Sequence, residues 1–269
     1  MPGSVKWDNR DMVWIDLEGA VNVRDLGGLP TTDGGVIVAG RLLRSENLQD
    51  LTGGDVARLV DEIGLTTVVD LRSSGEIATE GPAPLDALPG VRHAHHPVLR
   101  EYLHVDSEAA VALLVEAIEA DRARYPDDQL CGHYLGYLEN RPDQVVGAMR
   151  AIATAPGAAI VHCAAGKDRT GVVVALALSV AGVGAQDIVA DYMATNERLE
   201  PLIQRLRRSR TYAKDMAGRP ASVHAPRAES MRAFLAQLDA RYGGAVGWLS
   251  AAGFAAGDLE QLRAKLRQA

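Results

Sequence analysis

The segment 158–181 constrains the fold most. It begins with AAIVH (158–162), a run without polar/apolar alternation. It passes directly into CAAGKDRTG (163–171) and then into a stretch, 170–181, that carries almost no polar residue. A strand lacking alternation is buried on both faces, which points to the interior of a parallel sheet. A helix that is apolar all round is buried as well. Joined by one loop, the two need helices packed on a sheet, so an α/β fold is expected.

The rest of the sequence fills in that architecture. TTVVDL (66–71) reads as another buried strand, and 91–98 as a further one after a Gly/Pro-rich loop. Val36-Ile37-Val38 and Arg41-Leu42-Leu43-Arg44, separated by Ala39-Gly40, read as a short hairpin. Helical spacing covers 51–63 and stops at Gly64. Further helices are expected over 109–123, 142–155, 170–181, 187–208 (with a kink or restart at Pro201), 228–242 and 258–267. Strands come early and helices late. The expectation is a central sheet of about four or more strands flanked by helices, with a helix-rich C-terminal half that has room for a helical lid. Residues 1–15 look irregular, and 1–269 is read as one domain.

Composition removes several classes. A chain of 269 residues buries enough surface to need no covalent staple. Its two cysteines, Cys131 and Cys163, rule out a disulfide framework, and no Cys/His set has zinc-finger spacing. A formal charge of −7 argues against general nucleic-acid binding. From Pro201 onward, however, 12 Lys and Arg stand against 5 Asp and Glu, densest at Arg205, Arg207, Arg208, Arg210 and Lys214. That run reads as a solvated helix face or as a surface for acidic lipids or phosphorylated substrates. The opening MPGSVKWDNRDMVW has no apolar core of a Sec-type signal, and no apolar stretch is long enough to cross a bilayer. A soluble chain in a reducing cytoplasm is the default expectation.

The loop carries the chemistry. A strand–loop–helix junction turns successive backbone N–H groups into one concavity and adds the helix N-terminal dipole, which makes an anion site. Cys163 lies at its base, where the amides and dipole favour a thiolate. Arg169 comes round the loop to offer a planar fork to two phosphate oxygens. Nucleophile, cradle and guanidinium together are the parts of a covalent phosphoryl-transfer site. Cys-x5-Arg alone recurs by chance. His162 before it, Gly166 within it and Thr170 after it make it specific.

HCAAGKDRTG resembles the signature loop of cysteine-dependent protein tyrosine phosphatases. VNVRDLGG (21–28), LLRSENL (42–48), VVDLRSSGE (68–76) and DYMATN (191–196) narrow the likeness. Together they are similar to the bacterial tyrosine/dual-specificity phosphatases of the mycobacterial protein tyrosine phosphatase B type, over about residues 15 to 260. Val23 departs from the aromatic usual there, and a change of packing alone is expected.

The resemblance implies Cys163 as nucleophile and a phosphocysteine intermediate, with Arg169 on the equatorial oxygens. It implies the N–H groups of Ala164, Ala165, Gly166, Lys167, Asp168 and Arg169 as the phosphate cradle. His162 would orient the loop, and Thr170 would donate to the sulfur or merely begin a helix. No metal or other cofactor is implied. The substrates would be phosphotyrosine proteins, with phosphoserine/threonine proteins or phosphoinositides as further candidates. Secretion without a signal peptide joins cytoplasmic residence as an expectation. A phosphate-binding adaptor and a sulfurtransferase are rivals of different chemistry.

Several roles stay open. A leaving group needs a proton, and either Asp168, inside the loop, or Asp70, ending a neighbouring strand, is the candidate acid; Asp70 alternatively pairs with Arg72. Lys167 is either a second cation beside the phosphate or a solvated lysine. His93, His95 and His96 resemble a metal cluster, but strand geometry sends His96 to the opposite face. Asn22, Arg24 and Asp25 read as buttresses of the loop. Glu76, four residues after Arg72, reads as its partner. Asp191 and Asn196 read as packing or supporting residues.

Overall fold

The computed structural model describes residues 13–99 and 128–267. The helix expected over 109–123 lies outside the described residues. Among the described residues six strands form one sheet: β1 (Val13–Trp14), β2 (Arg24–Asp25), β3 (Leu42–Ser45), β4 (Leu65–Asp70), β5 (Arg92–His95) and β6 (Ala158–His162), in the order β1-β2-β3-β6-β4-β5. The pairs β1–β2 and β2–β3 are antiparallel, whereas β3–β6, β6–β4 and β4–β5 are parallel.

AAIVH thus sits between two parallel neighbours, with every residue buried. Alternate side chains go to opposite layers. Leu42, Val69 and Val161 join the larger core, and Leu43, Val68 and Ile160 the smaller one. The larger core is built by α3 (Gln129–Asn140), α4 (Pro142–Ala153), α5 (Asp168–Val180), α6 (Ala185–Ala194), α9 (Ala228–Tyr242), α10 (Ala245–Ala251) and α11 (Ala256–Leu266). The smaller core closes under α1 (Gly53–Ala57) and its continuation Arg58–Glu62. The short helices α2 (Ser74–Glu80), α7 (Leu199–Leu206) and α8 (Ala213–Met216) lie nearer the site.

The mixed α/β fold with a helix-rich C-terminal half agrees with the expectation. So do the buried strands β4 and β6 and a restart at Pro201, which lies in the first turn of α7. The helix expected over 51–63 is present, but its second half is a wider π-type turn, ended at Gly64 with φ +79°. A capping box between Thr52 and Asp55 starts it.

The hairpin over 36–44 is corrected. Both edges of β3 are already occupied, by β2 and by β6. Residues 36–38 instead bond to the Gly28–Leu29 turn and to Leu266 near the C-terminus. The strand expected over 91–98 shrinks to the mostly exposed edge β5. Within the stretch read as a Gly/Pro loop, α2 forms because Ser73 and Glu76 make a second capping box.

Candidate active site

His162 ends β6, and α5 begins at Asp168, so five residues, Cys163 to Lys167, turn the chain from strand to helix. The carbonyls of this turn are held from outside. Asn47 N–H donates to Ala164 O (3.0 Å), Asn22 Nδ2 to Ala165 O (2.9 Å) and Arg44 Nη2 to Gly166 O (2.7 Å). Every peptide here is trans, so each following N–H points the opposite way, toward the concave side. Only glycine fits at 166: φ is +65°, and a Cβ would stand 2.3 Å from Ser45 O.

The concave side is a cavity of about 260 Å³. Cys163, Ala164, Ala165, Lys167, Asp168 and Arg169 form its floor. Tyr137, Leu202, Ile203, Leu206 and Met216 make apolar walls, with Tyr212 and His224 at its side. The segment from α7 through α8 to the turn Ala221–His224 therefore covers the loop 163–167, as a helical lid does. Leu202, Ile203 and Leu206 pack on Ala164.

Arg169 is nearly buried, and Glu76 receives its fork through two bonds, Nη1 to Oε2 at 2.7 Å and Nη2 to Oε1 at 2.9 Å. Tyr212 accepts from Nη2 at 3.0 Å and donates to Glu76 Oε1. Burial works against the Glu76 charge, but Arg169, Tyr212 and the Ser73 amide hold its pKa down at about 2. Glu76 is thus the partner of Arg169, not of Arg72, because its place at the start of α2 turns it toward the loop.

Arg72 instead grips Asp70, with Nε at 2.9 Å from Oδ1 and Nη2 at 2.5 Å from Oδ2. Burial opposes the Asp70 charge, yet the Arg72 guanidinium holds it well below the usual carboxylate range. Asp70 does not line the cavity that holds Cys163. His162 lies behind the loop, with Nδ1 3.3 Å from Cys163 O and Nε2 3.5 Å from Asp70 Oδ2. Burial pushes His162 down to about 4, so it is neutral near pH 7.

Asp168 stands in the first turn of α5, about a third exposed, and does line the cavity. Its Oδ1 accepts from Tyr134 Oη at 2.7 Å, and its Oδ2 lies 3.4 Å from Lys167 Nζ. Lys167 is not a solvated lysine: its ammonium donates to His224 O at 2.7 Å and so ties the loop to the covering segment. The Thr170 hydroxyl is fully buried with no partner among the described residues.

The loop's buttress is an ion cluster. Asp191 accepts from Arg24 Nε (2.8 Å) and from Arg44 Nη1, and all three side chains are essentially inaccessible. Arg24 also donates to Asn22 Oδ1 (2.8 Å), so both arginines reach the loop within one further contact. Asp25 is elsewhere, capping the Gly27 and Gly40 amides. Removing one partner of a buried pair strands the others. Asp191→Ala is therefore expected to cost about 3–5 kcal/mol in chemical denaturation and to lower activity through the loaded loop.

The remaining candidates disperse. His93 contacts Leu85 O and Asp86, His95 contacts Arg72 O, and His96 contacts Gln144. These partners differ, so the three imidazoles do not converge. In the basic run, Arg205 pairs with Glu46 and Asp50, and Arg207 donates to Arg219 O. Arg208 and Arg210 are exposed. Among the described residues no helix is long and apolar enough to cross a membrane.

Sequence reasoning missed Arg44, Tyr134 and Tyr212, and it misassigned Glu76. For Glu76 the Ser73-x-x-Glu76 spacing is a signal of a helix start, and Arg44 lies in the LLRSENL stretch with no role attached to it; for Tyr134 and Tyr212 no local signal exists.

Comparison with known proteins places these residues in context. The sequence profile of the tyrosine phosphatase family matches residues 15–268. The chain is 29% identical to the Triple specificity protein phosphatase PtpB of Mycobacterium tuberculosis over 279 aligned positions, covering 93% of this chain and 98% of that one. It is 35% identical to a protein of Cupriavidus necator assigned as a tyrosine-protein phosphatase, over 66% of this chain and 61% of the relative. A tyrosine-protein phosphatase of Nostoc commune is also 35% identical, over 51% of this chain and 47% of the relative. The chain thus spans less than two thirds of the length of two of these three relatives.

Proposed function

The chain belongs to the tyrosine phosphatase family, and we propose that it is a metal-independent phosphomonoesterase acting on phosphotyrosine proteins, and on phosphoserine/threonine proteins at the same site. One observation carries this reading: the loop carbonyls are held from outside, so the amides and Arg169 converge on the cavity floor where Cys163 lies. The apolar walls and Tyr137 suit an aryl ring above the phosphate.

In the first half-reaction Cys163 Sγ attacks phosphorus, the S–P bond forms and the P–O bond to the leaving group breaks. Charge on the equatorial oxygens is met by the loop amides and by Arg169, already aimed by Glu76. Asp168 gives its proton to the leaving oxygen. In the second half-reaction a water oxygen bonds to phosphorus, the S–P bond breaks and Asp168 takes the water's proton. The unpaired Thr170 hydroxyl donates to the departing sulfur. His162 and Asp70 support the loop from behind. Asp70 is a poor acid because Arg72 holds it ionised.

Phosphoinositide hydrolysis needs a free cation for the additional phosphate. Lys167 is the candidate, but its ammonium is engaged by His224 O and Asp168. The protein-phosphatase reading is therefore the stronger one. The intact pair Cys163 and Arg169 favours turnover over a phosphate-binding adaptor.

Leaving-group dependence tests the acid. Asp168→Asn is expected to slow phenyl phosphate by about a hundredfold and dinitrophenyl phosphate, whose leaving group needs little protonation, far less. Steady-state rates on both substrates decide it. Asp70→Asn should lack this selectivity; selectivity in Asp70→Asn and none in Asp168→Asn would reverse the assignment.

A further inference from the structure

Asp168 is an acid anchored in a helix, and one of its two oxygens is reached from the protein core. Tyr134, on α3, is fully buried and does not line the cavity. Its hydroxyl donates to Asp168 Oδ1 at 2.7 Å. The same hydroxyl lies 2.7 Å from Tyr192 Oη, which in turn faces the Arg227 N–H at 3.4 Å. Each phenol has a single proton, and the ionised Asp168 carboxylate only accepts. The direction of the chain is therefore fixed: Arg227 N–H to Tyr192, Tyr192 to Tyr134, Tyr134 to Asp168.

The donor is rigid. The Tyr134 ring meets Tyr192 edge-on at 6.3 Å and Phe234 edge-on at 6.0 Å, so neither ring position nor hydroxyl direction is free. Burial, with the Asp168 charge next, pushes the Tyr134 phenol far above its ordinary value, so it remains a donor at every working pH. With Oδ1 held from the core side, Oδ2, which has the Lys167 ammonium 3.4 Å away, is the oxygen that exchanges a proton in the cavity.

Building on the reading of Asp168 as general acid, we propose that Tyr134 is a positioning residue: its hydroxyl, aligned by Tyr192, fixes the Asp168 carboxyl so that Oδ2 alone carries the proton in both half-reactions. In the first, the Oδ2–H bond breaks and the leaving oxygen gains the proton. In the second, water loses a proton to Oδ2 as its oxygen bonds to phosphorus. Tyr134 keeps its own proton throughout.

The test is Tyr134→Phe, which retains the ring. On phenyl phosphate kcat is expected to fall about tenfold, the worth of one hydrogen bond to a charged group. On dinitrophenyl phosphate it should change by less than about threefold, with KM unaltered on both. In an Asp168→Asn background, adding Tyr134→Phe should give no further selective loss, because the two residues act as one unit. Equal losses on the two substrates, or a selective loss that persists without the Asp168 carboxyl, would overturn the proposal. Tyr192→Phe decides the matter if Tyr134→Phe does not fold: a selective loss of about threefold supports it, and wild-type rates on both substrates overturn it. Failure of the acid assignment is separately visible, since Asp168→Asn alone would then be unselective.

Discussion

Cys163→Ser is expected to reduce turnover by about 10⁴-fold or more while phosphate or vanadate still binds. An alcohol at neutral pH is a far weaker nucleophile than a sulfur in an amide-lined anion site. The change is nearly isosteric, and binding draws on groups that it leaves in place: the loop amides and Arg169. Cys163 is only 2% exposed, so the smaller oxygen sits in the same packed floor. Steady-state kinetics paired with ligand titration measure both halves of the expectation. A serine variant with near wild-type turnover would remove Cys163 from the chemistry.

Arg169→Ala should damage binding and turnover together, by about 10³-fold in kcat/KM, because the guanidinium meets charge in ground and transition states alike. It carries a stability cost as well. Glu76 would lose both bonds of its bidentate partner while remaining buried, at a cost of about 3 kcal/mol. The acid side of the stability profile gives an independent readout. Glu76 has its folded pKa near 2 against an ordinary 4.5. Its contribution is therefore full above about pH 4.5 and is lost as pH falls toward 2. In Arg169→Ala that acid-limb loss should shrink. A variant with wild-type binding, or with an unchanged acid limb, would contradict the pairing.

The legible parts of the molecule were those written locally. AAIVH and the all-apolar helix behind it placed a buried strand and helix, because period and length are local properties. The loop placed Cys163, Asp168 and Arg169 around one cavity, since seven consecutive residues cannot scatter. The hairpin failed for a global reason: β3 has two edges, and partners distant in sequence, β2 and β6, claim both. Glu76 and Arg169 lie 93 residues apart, and Arg44 and Gly166 lie 122 apart. No spacing rule links such residues. Glu76 also stood four places after Arg72, where a helical ion pair was the local reading. Arg72 instead folds back onto Asp70, only two residues away, because Asp70 ends the strand and both side chains turn the same way.

Lys167 and Asp168 illustrate the same division. Their presence in the loop was evident, but their partners were not. His224 O, from a turn 57 residues later, takes the ammonium, and Tyr134, 34 residues earlier, takes the carboxylate. The covering segment from α7 to His224 thereby converts a loop lysine into a tether.

The most direct measurement is the covalent intermediate itself. Enzyme mixed with an aryl phosphate, quenched in acid within the first turnover and digested for mass spectrometry, should carry one phosphoryl group on the peptide containing Cys163. Cys163→Ser, treated identically, should carry none. A phosphoryl group on another residue, or turnover with no phosphoryl-enzyme at any quench time, would contradict phosphocysteine catalysis at this loop.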